Sequence, residues 1–251
     1  MCYYIIGCDF MLITSLDNKK IKKYLKLKNK KCRDFEKLFL IEGNHLVEEA
    51  IKSNLLVDLL VLEGEEFNYS KEITYVSLNI MKKLSNMESI PSVIGVVKFL
   101  EPKEITSDKI LILDDIQDPG NLGTIIRSSL AFNVSDIILS LNSVDLYNDK
   151  VIRSTQGMLF KVNIIRSDLK DIILNLKKDG YTILGTDVND GVDVKELDIS
   201  RFALIMGNEG QGVSPEIKKM CDKNLYIKMN NQVESLNVGV ATSILLYELN
   251  R

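Results

Sequence analysis

Tryptophan is absent from this chain of 251 residues, and histidine occurs once, at His45. A single imidazole removes most of the material for a zinc site that needs two histidines, and for a Ser–His–Asp triad drawn from remote segments. The lone His45, in Glu42-Gly-Asn-His-Leu46, reads as a structural residue. Four cysteines (Cys2, Cys8, Cys32, Cys221) fall in no CxxC spacing. They read as reduced thiols of a cytoplasmic protein, with no disulfide framework and no metal expected. No run reaches the roughly 18 apolar residues of a membrane span. The mildly apolar start is broken by Asp9 and has no basic n-region, so neither membrane nor signal peptide is expected. Residues 1–10, ahead of Met11-Leu-Ile-Thr-Ser-Leu16, read as a dispensable extension or a misassigned start. There is no GxxxxGK(S/T) phosphate loop.

What is present is 45% hydrophobic and 27% charged, enough for one large domain or two modest ones. The net charge of −3 and pI of about 5.4 exclude a uniformly basic nucleic-acid binder. The distribution is uneven. Between Met11 and Leu40, ten basic residues (Lys19, Lys20, Lys22, Lys23, Lys26, Lys28, Lys30, Lys31, Arg33, Lys37) minus three acidic ones (Asp17, Asp34, Glu36) leave +7, hence −10 elsewhere. That density fits a solvated helix face or contact with a polyanion.

In chain order, Thr14-Ser-Leu-Asp17 offers caps for a helix over 19–31, with Ile21, Tyr24, Leu25 and Lys28 on one face. Strands are expected at 38–41, 55–62, 73–76 and 93–99, and helices at 44–52 and 77–84. Together these form a small α/β unit over 11–100. Glu101-Pro-Lys-Glu-Ile-Thr-Ser-Asp108 loses the hydrophobic pattern and reads as a linker. From 109 to 251, strands at 110–113, 136–141, 162–165, 182–187, 202–206 and 225–229 alternate with helices, the first over 124–132 and the last opening at Ser235. Short apolar strands alternating with helices predict a parallel sheet covered on both faces.

Three stretches carry chemistry. Pro119-Gly-Asn-Leu-Gly-Thr-Ile-Ile-Arg127 reads as a glycine turn entering a helix, an anion site or a plain structural turn, with Arg127 about one turn in. Gly207-Asn-Glu-Gly-Gln-Gly212 follows an apolar strand and inverts the spacing of a dinucleotide fingerprint, which disfavours a nicotinamide cofactor. Glu234-Ser-Leu-Asn-Val-Gly-Val-Ala241 opens the last helix, where Ser235 and Asn237 suit helix caps. Glycine-rich turns at the carboxyl ends of parallel strands make a small-molecule crevice.

In this order and spacing, the three stretches strongly resemble the motifs of the SpoU (TrmH-type) RNA ribose 2′-O-methyltransferases of the SPOUT superfamily. The motifs are Asn121–Arg127, Phe202–Ser214, and Ile227–Met229 through Ser235–Ala241. Residues 11–100, through Ile13-Thr-Ser-Leu16, the Lys-rich segment and Phe39-Leu-Ile-Glu-Gly43, resemble more loosely the ribosomal-protein-like domain that precedes it in rRNA-modifying members. The resemblance implies a parallel-sheet α/β domain with a C-terminal trefoil knot, a homodimer, and S-adenosylmethionine (SAM) as cofactor. It assigns Asn121, Arg127, Glu209, Ser235 and Asn237 to catalysis. Thr186, Gly207, Ile227, Met229 and Leu236 are assigned to the cofactor. Lys19, Lys20, Lys22, Lys23, Lys26, Lys30 and Arg33 then become contacts to RNA. One departure is Lys228, where the family has proline. The two-domain layout favours large-subunit rRNA over tRNA; a non-catalytic RNA-binding or assembly factor on the same fold is the alternative of a different class.

Overall fold

The computed structural model describes residues 11–188 and 191–250, so Cys2, Cys8 and the proposed extension lie outside the described residues. The chain divides after Phe99 into two compact units, each with its own core.

The first unit contains β1 (Met11–Ile13), α1 (Lys19–Lys26), α2 (Lys30–Glu36), β2 (Leu38–Glu42), α3 (Asn44–Lys52), β3 (Leu56–Leu62), β4 (Thr74–Val76), α4 (Leu78–Leu84) and β5 (Val93–Lys98). Its sheet runs β1-β4-β3-β5-β2, with β5 antiparallel to both neighbours and β4 parallel to both of its own. Ile21 and Tyr24 turn inward from α1 onto Leu60, Val76, Ile80 and Ile94. Each aliphatic side chain buried in this way contributes roughly 1.5–3 kcal/mol.

The single helix expected over 19–31 is two. Leu27 is buried between them, and the Asn29 side chain accepts from Lys31 N at 2.8 Å, capping a new helix rather than continuing the old one. This break corrects the reading of two cations. Arg33 is buried, and its Nη1 donates to Leu27 O (2.8 Å) and Lys28 O (2.9 Å), closing the carboxyl end of α1. Lys20 reaches Asp58 Oδ2 and Thr74 Oγ1, each at 2.7 Å, where Asp58 also accepts from Tyr24. Both are engaged within the unit, Arg33 buried and Lys20 partly exposed. Lys22 and Lys23 are paired at the surface with Asp17 and Glu36. Lys19, Lys26, Lys30 and Lys31 are exposed and make no side-chain contact among the described residues.

The second unit contains β6 (Lys109–Leu113), α5 (Pro119–Ala131), β7 (Asp136–Ser140), α6 (Asp149–Thr155), β8 (Asn163–Ser167), α7 (Leu169–Lys178), β9 (Thr182–Thr186), β10 (Val192–Asp193), β11 (Phe202–Met206), α8 (Pro215–Lys218), β12 (Lys223–Tyr226) and α9 (Val238–Leu249). The sheet runs β10-β12-β9-β11-β6-β7-β8 and every pairing is parallel. Its central strands are apolar on both faces, and β6, β7 and β11 are buried almost throughout. β11 inserts between β6 and β9, which precede it in the chain. The expected linker packs on this unit: Leu100 N donates to Tyr147 Oη at 2.8 Å, Lys103 N to Asn163 Oδ1 at 2.8 Å, and Tyr181 Oη to Ser107 O at 2.6 Å.

Three of the boundaries that differ from expectation lie in the motifs. α5 begins at Pro119, because Asp118 caps it through Asn121 N at 2.9 Å and proline suits the first helical position. Gly123 therefore lies inside the helix. A Cβ there would sit 2.2 Å from Ser154 Cβ, so this glycine lets α5 pack on α6 and not on a ligand. β12 ends at Tyr226, leaving Ile227 and Met229 in a loop. α9 begins at Val238, three residues after Ser235, because Asn237 accepts from Gly239 N and Val240 N.

Candidate active site

Parallel strands aim their carboxyl ends at one edge of the sheet, and a crevice of about 270 Å³ opens where β9, β11 and β12 end. Its walls come from Thr186 and Val188 after β9, the 207–213 loop after β11, Ile227 and Met229 after β12, and Ser235, Leu236, Val238 and Ala241 at the entry to α9. All five residues assigned to the cofactor (Thr186, Gly207, Ile227, Met229, Leu236) line it, with Glu209 and Ser235.

The loop after β11 is held by its own sequence. Asn208 pairs with Gly212 through backbone bonds of 3.0 and 2.9 Å, while its side-chain oxygen accepts from Gly210 N and Gln211 N. Its amide donates to Asp115 O at 2.9 Å, tying the loop to the end of β6. Gly212 has φ +69°, a conformation that favours glycine. At Gly207 a Cβ would stand 2.0 Å from the backbone of Gly212 and Val213, so the loop closes on itself only without a side chain there.

Glu209 joins this loop to α5. Its carboxylate accepts from Gln117 N (3.1 Å), Asp118 N (2.9 Å) and Asn121 Nδ2 (3.0 Å). Burial alone pushes its pKa up, but the bonds from Asn121, Asp118 and Gln117 together outweigh burial and hold it below the ordinary value of 4.5. Asn121 Oδ1 in turn accepts from Asn237 Nδ2 at 2.8 Å. One continuous chain of hydrogen bonds, Glu209–Asn121–Asn237, thus links the three motifs across 88 and 116 residues of sequence.

Arg127 stands apart and corrects the expected geometry. With α5 starting at Pro119, it lies about two turns in, not one, and is absent from the crevice walls. Its guanidinium is exposed and has no hydrogen-bond or ion-pair partner among the described residues. The stripe it shares with Thr124 and Ser128 runs along α9: Thr124 approaches Gly239, and Ser128 Oγ meets Ser243 Oγ at 2.7 Å. Arg127 is thereby carried beside the start of α9, open to an external anion.

Sequence reasoning missed the polar pair on the opposite wall, Asp187 with Lys218, which form an ion pair. It also missed the Asp118 cap, although Asp-Pro-Gly is a legible helix-start signal. The wall carries two carboxylates, Asp187 and Glu209, against one cation, Lys218, and is otherwise apolar, amide or, at Thr186 and Ser235, hydroxyl in character. Such a lining is ill suited to polyphosphate and well suited to a nucleoside-sized ligand that bears positive charge. His45 lies exposed in the other unit. Among the described residues no group of three His, Cys, Asp or Glu could hold a metal ion, and no helix is long and apolar enough to cross a membrane.

Fold and crevice define an α/β protein with a crevice on the loops that follow parallel strands. Family models agree: residues 108–247 match the SpoU rRNA methylase family and residues 18–95 the MRM3-like substrate-binding domain. The chain is 37% identical over 243 residues to 23S rRNA (guanosine(2553)-2′-O)-methyltransferase RlmP of Bacillus subtilis, covering 94% of this chain and 98% of that protein. An AdoMet-bound rRNA methyltransferase from Sinorhizobium meliloti superposes with a TM-score of 0.83 at 27% identity, over 96% of this chain and 98% of that one. A solved RNA 2′-O ribose methyltransferase gives 0.81 at 28% identity, over 95% and 98%. This chain belongs to the SpoU rRNA methylase family.

Proposed function

We propose that this protein transfers a methyl group from SAM to a ribose 2′-hydroxyl of 23S rRNA. The observation that carries the reading is the bond chain Glu209–Asn121–Asn237, which brings the three motifs to the mouth of one crevice. The crevice fits the cofactor chemically. Apolar Met206, Leu225, Ile227 and Leu236 suit a purine ring, the backbone around Gly207 offers close polar contact, and the surplus of carboxylate suits a sulfonium. When bound, SAM supplies an activated methyl group.

The chain's own residues then have separable tasks. Arg127, with no internal hydrogen-bond or ion-pair partner among the described residues, clamps the phosphate beside the target ribose and stabilises negative charge developing on the 2′-oxygen. Ser235 and the amides of Asn121 and Asn237 orient the ribose. Fixing it in line with the methyl group is worth up to roughly 7–11 kcal/mol. Glu209 is a positioning residue, since its carboxylate is already engaged by Gln117, Asp118 and Asn121. Lys228, in place of the family's proline, leaves the Ile227 backbone available to the cofactor. The exposed lysines Lys19, Lys26 and Lys30 of the first unit, with Lys31, hold the RNA backbone. The protein acts as a homodimer, a reading supported by half-exposed Val240 and Tyr247 on α9, beside α5, and its C-terminal segments are threaded as a knot, as the family resemblance implies.

Mapping 2′-O-methylation in rRNA and tRNA from cells with and without this gene tests the reading. Loss of one site in 23S rRNA is the expected result. Loss of a tRNA site instead would overturn the substrate, and no change in either RNA would overturn the activity.

A further inference from the structure

Phe35 is 84% exposed, whereas the next most exposed large apolar side chain among the described residues, Leu141, is at 59%. A lone exposed apolar residue needs no explanation in itself, but this one stands on a helix inside the basic 11–40 segment of an acidic chain. It lies on α2, four residues after Lys31 and therefore on the same stripe of the helix. Lys30 and Asp34 occupy the adjacent stripe, and Glu36 is engaged by Lys23 at 2.8 Å. The ring contacts no other aromatic or cationic side chain among the described residues.

The platform is also rigid. Arg33, two residues before Phe35 and so on the opposite face of α2, is buried and locked onto Leu27 O and Lys28 O. Lys37 N closes the far end onto Arg33 O at 2.8 Å. A buried arginine thus fixes a short helix whose outer face offers a bare aromatic ring one turn from the free ammonium group of Lys31, with Lys30 and Asp34 on the adjacent stripe. Bare rings flanked by lysines suit single-stranded nucleic acid: the cations follow the phosphates, and the ring takes the face of an unstacked base. A protein partner would be expected to bury a broader apolar surface, and no second large apolar side chain of α2 is exposed.

We propose that Phe35 is a base-stacking platform on which the first unit holds an unpaired nucleotide of its RNA substrate, with Lys31 and Lys30 beside it on the backbone. The proposal rests on the RNA-methyltransferase reading and adds to it that the recognised RNA is single-stranded at this point.

The absence of tryptophan from the chain provides the test. In the full-length protein, Phe35→Trp installs a single indole where stacking would occur. The probes are a fluorescein-labelled RNA hairpin with an unpaired loop and a blunt duplex of the same stem, with binding followed independently by anisotropy. Expected is preserved affinity for the hairpin, indole quenching by the hairpin, and none by the duplex. Phe35→Ala and Phe35→Leu should both weaken hairpin binding by roughly 5- to 100-fold, as loss of one stacked base does. Binding of S-adenosylhomocysteine and kcat at saturating RNA should stay unchanged while KM rises.

An indole unmoved at saturating hairpin would overturn the proposal, as would full rescue by Phe35→Leu, which preserves bulk but not the ring. Quenching that follows protein concentration without RNA would overturn it in favour of a protein interface. If the wild type bound no RNA yet still bound S-adenosylhomocysteine, the proposal and the RNA reading would fall together; failure of the Phe35 variants alone leaves that reading standing.

Discussion

Glu209 and Arg127 are both charged and both belong to the motifs, yet the structure gives them opposite circumstances. Glu209 is held by three neighbouring groups and has a lowered pKa, so its charge contributes to stability. With the folded value below 4.5, that contribution is fully present above 4.5 and disappears as pH falls through the folded value. The thermal midpoint of the wild type should therefore exceed that of Glu209→Gln at neutral pH, and the gap should close in acid. A gap independent of pH would reject the charged role. Arg127 has no internal partner, so its removal should leave the fold intact. Arg127→Ala is expected to lower kcat by about 10²–10³-fold, the cost of losing one donor to a developing oxyanion. Its unfolding midpoint and S-adenosylhomocysteine binding should be unchanged, as calorimetry can check.

At the scale of elements, α9 depends on Asn237 twice. Its Oδ1 caps the helix through Gly239 N and Val240 N, and its Nδ2 reaches Asn121 Oδ1 on α5. Loss of the cap alone costs about 1 kcal/mol, so Asn237→Ala should lose more than a cap variant such as Asn237→Asp. A double-mutant cycle in urea unfolding between Asn237→Ala and Asn121→Ala should show a coupling of about 0.5–1.5 kcal/mol, the net value of one hydrogen bond. Strict additivity would place the two amides in independent roles. The elements also show where reading the chain was sound and where it stopped. Apolar runs such as Phe202–Met206 announce buried parallel strands because their periodicity is local. The start of α5 and the break at Leu27–Asn29 were missed, because a cap is a contest between one side chain and the next turn of backbone, and Asp118 and Asn29 decide it.

For the whole molecule, charge is segregated: +7 lies within residues 11–40 and −10 elsewhere. After Arg33 and Lys20 turn inward, four lysines remain free in that stretch. Changing Lys19, Lys26, Lys30 and Lys31 together to Gln should make the salt dependence of RNA binding shallower by roughly 2–3, at about 0.7 per phosphate contact on single strands. An unchanged slope would move the RNA contact elsewhere. Sedimentation should show a dimer at micromolar concentration that Val240→Asp weakens; a monomer for the wild type would reject the homodimer.

The sequence by itself determined the α/β alternation, the two units and the identity of the three motifs, because hydrophobic period, turn residues and motif spacing are properties of neighbouring residues. The family resemblance of the motifs also picked out Thr186, Gly207, Ile227, Met229 and Leu236, all of which line the crevice. Tertiary structure alone decided which groups are free to act. Lys20 and Arg33 look like their neighbours along the chain, but Lys20 is engaged by Asp58 and Arg33 is buried against the end of α1. Glu209 meets Asn121 and Asn121 meets Asn237 only because β11 inserts beside β6 and α9 returns onto α5. A side chain's chemistry is written in its type, but its availability is set by long-range contacts that no local pattern encodes.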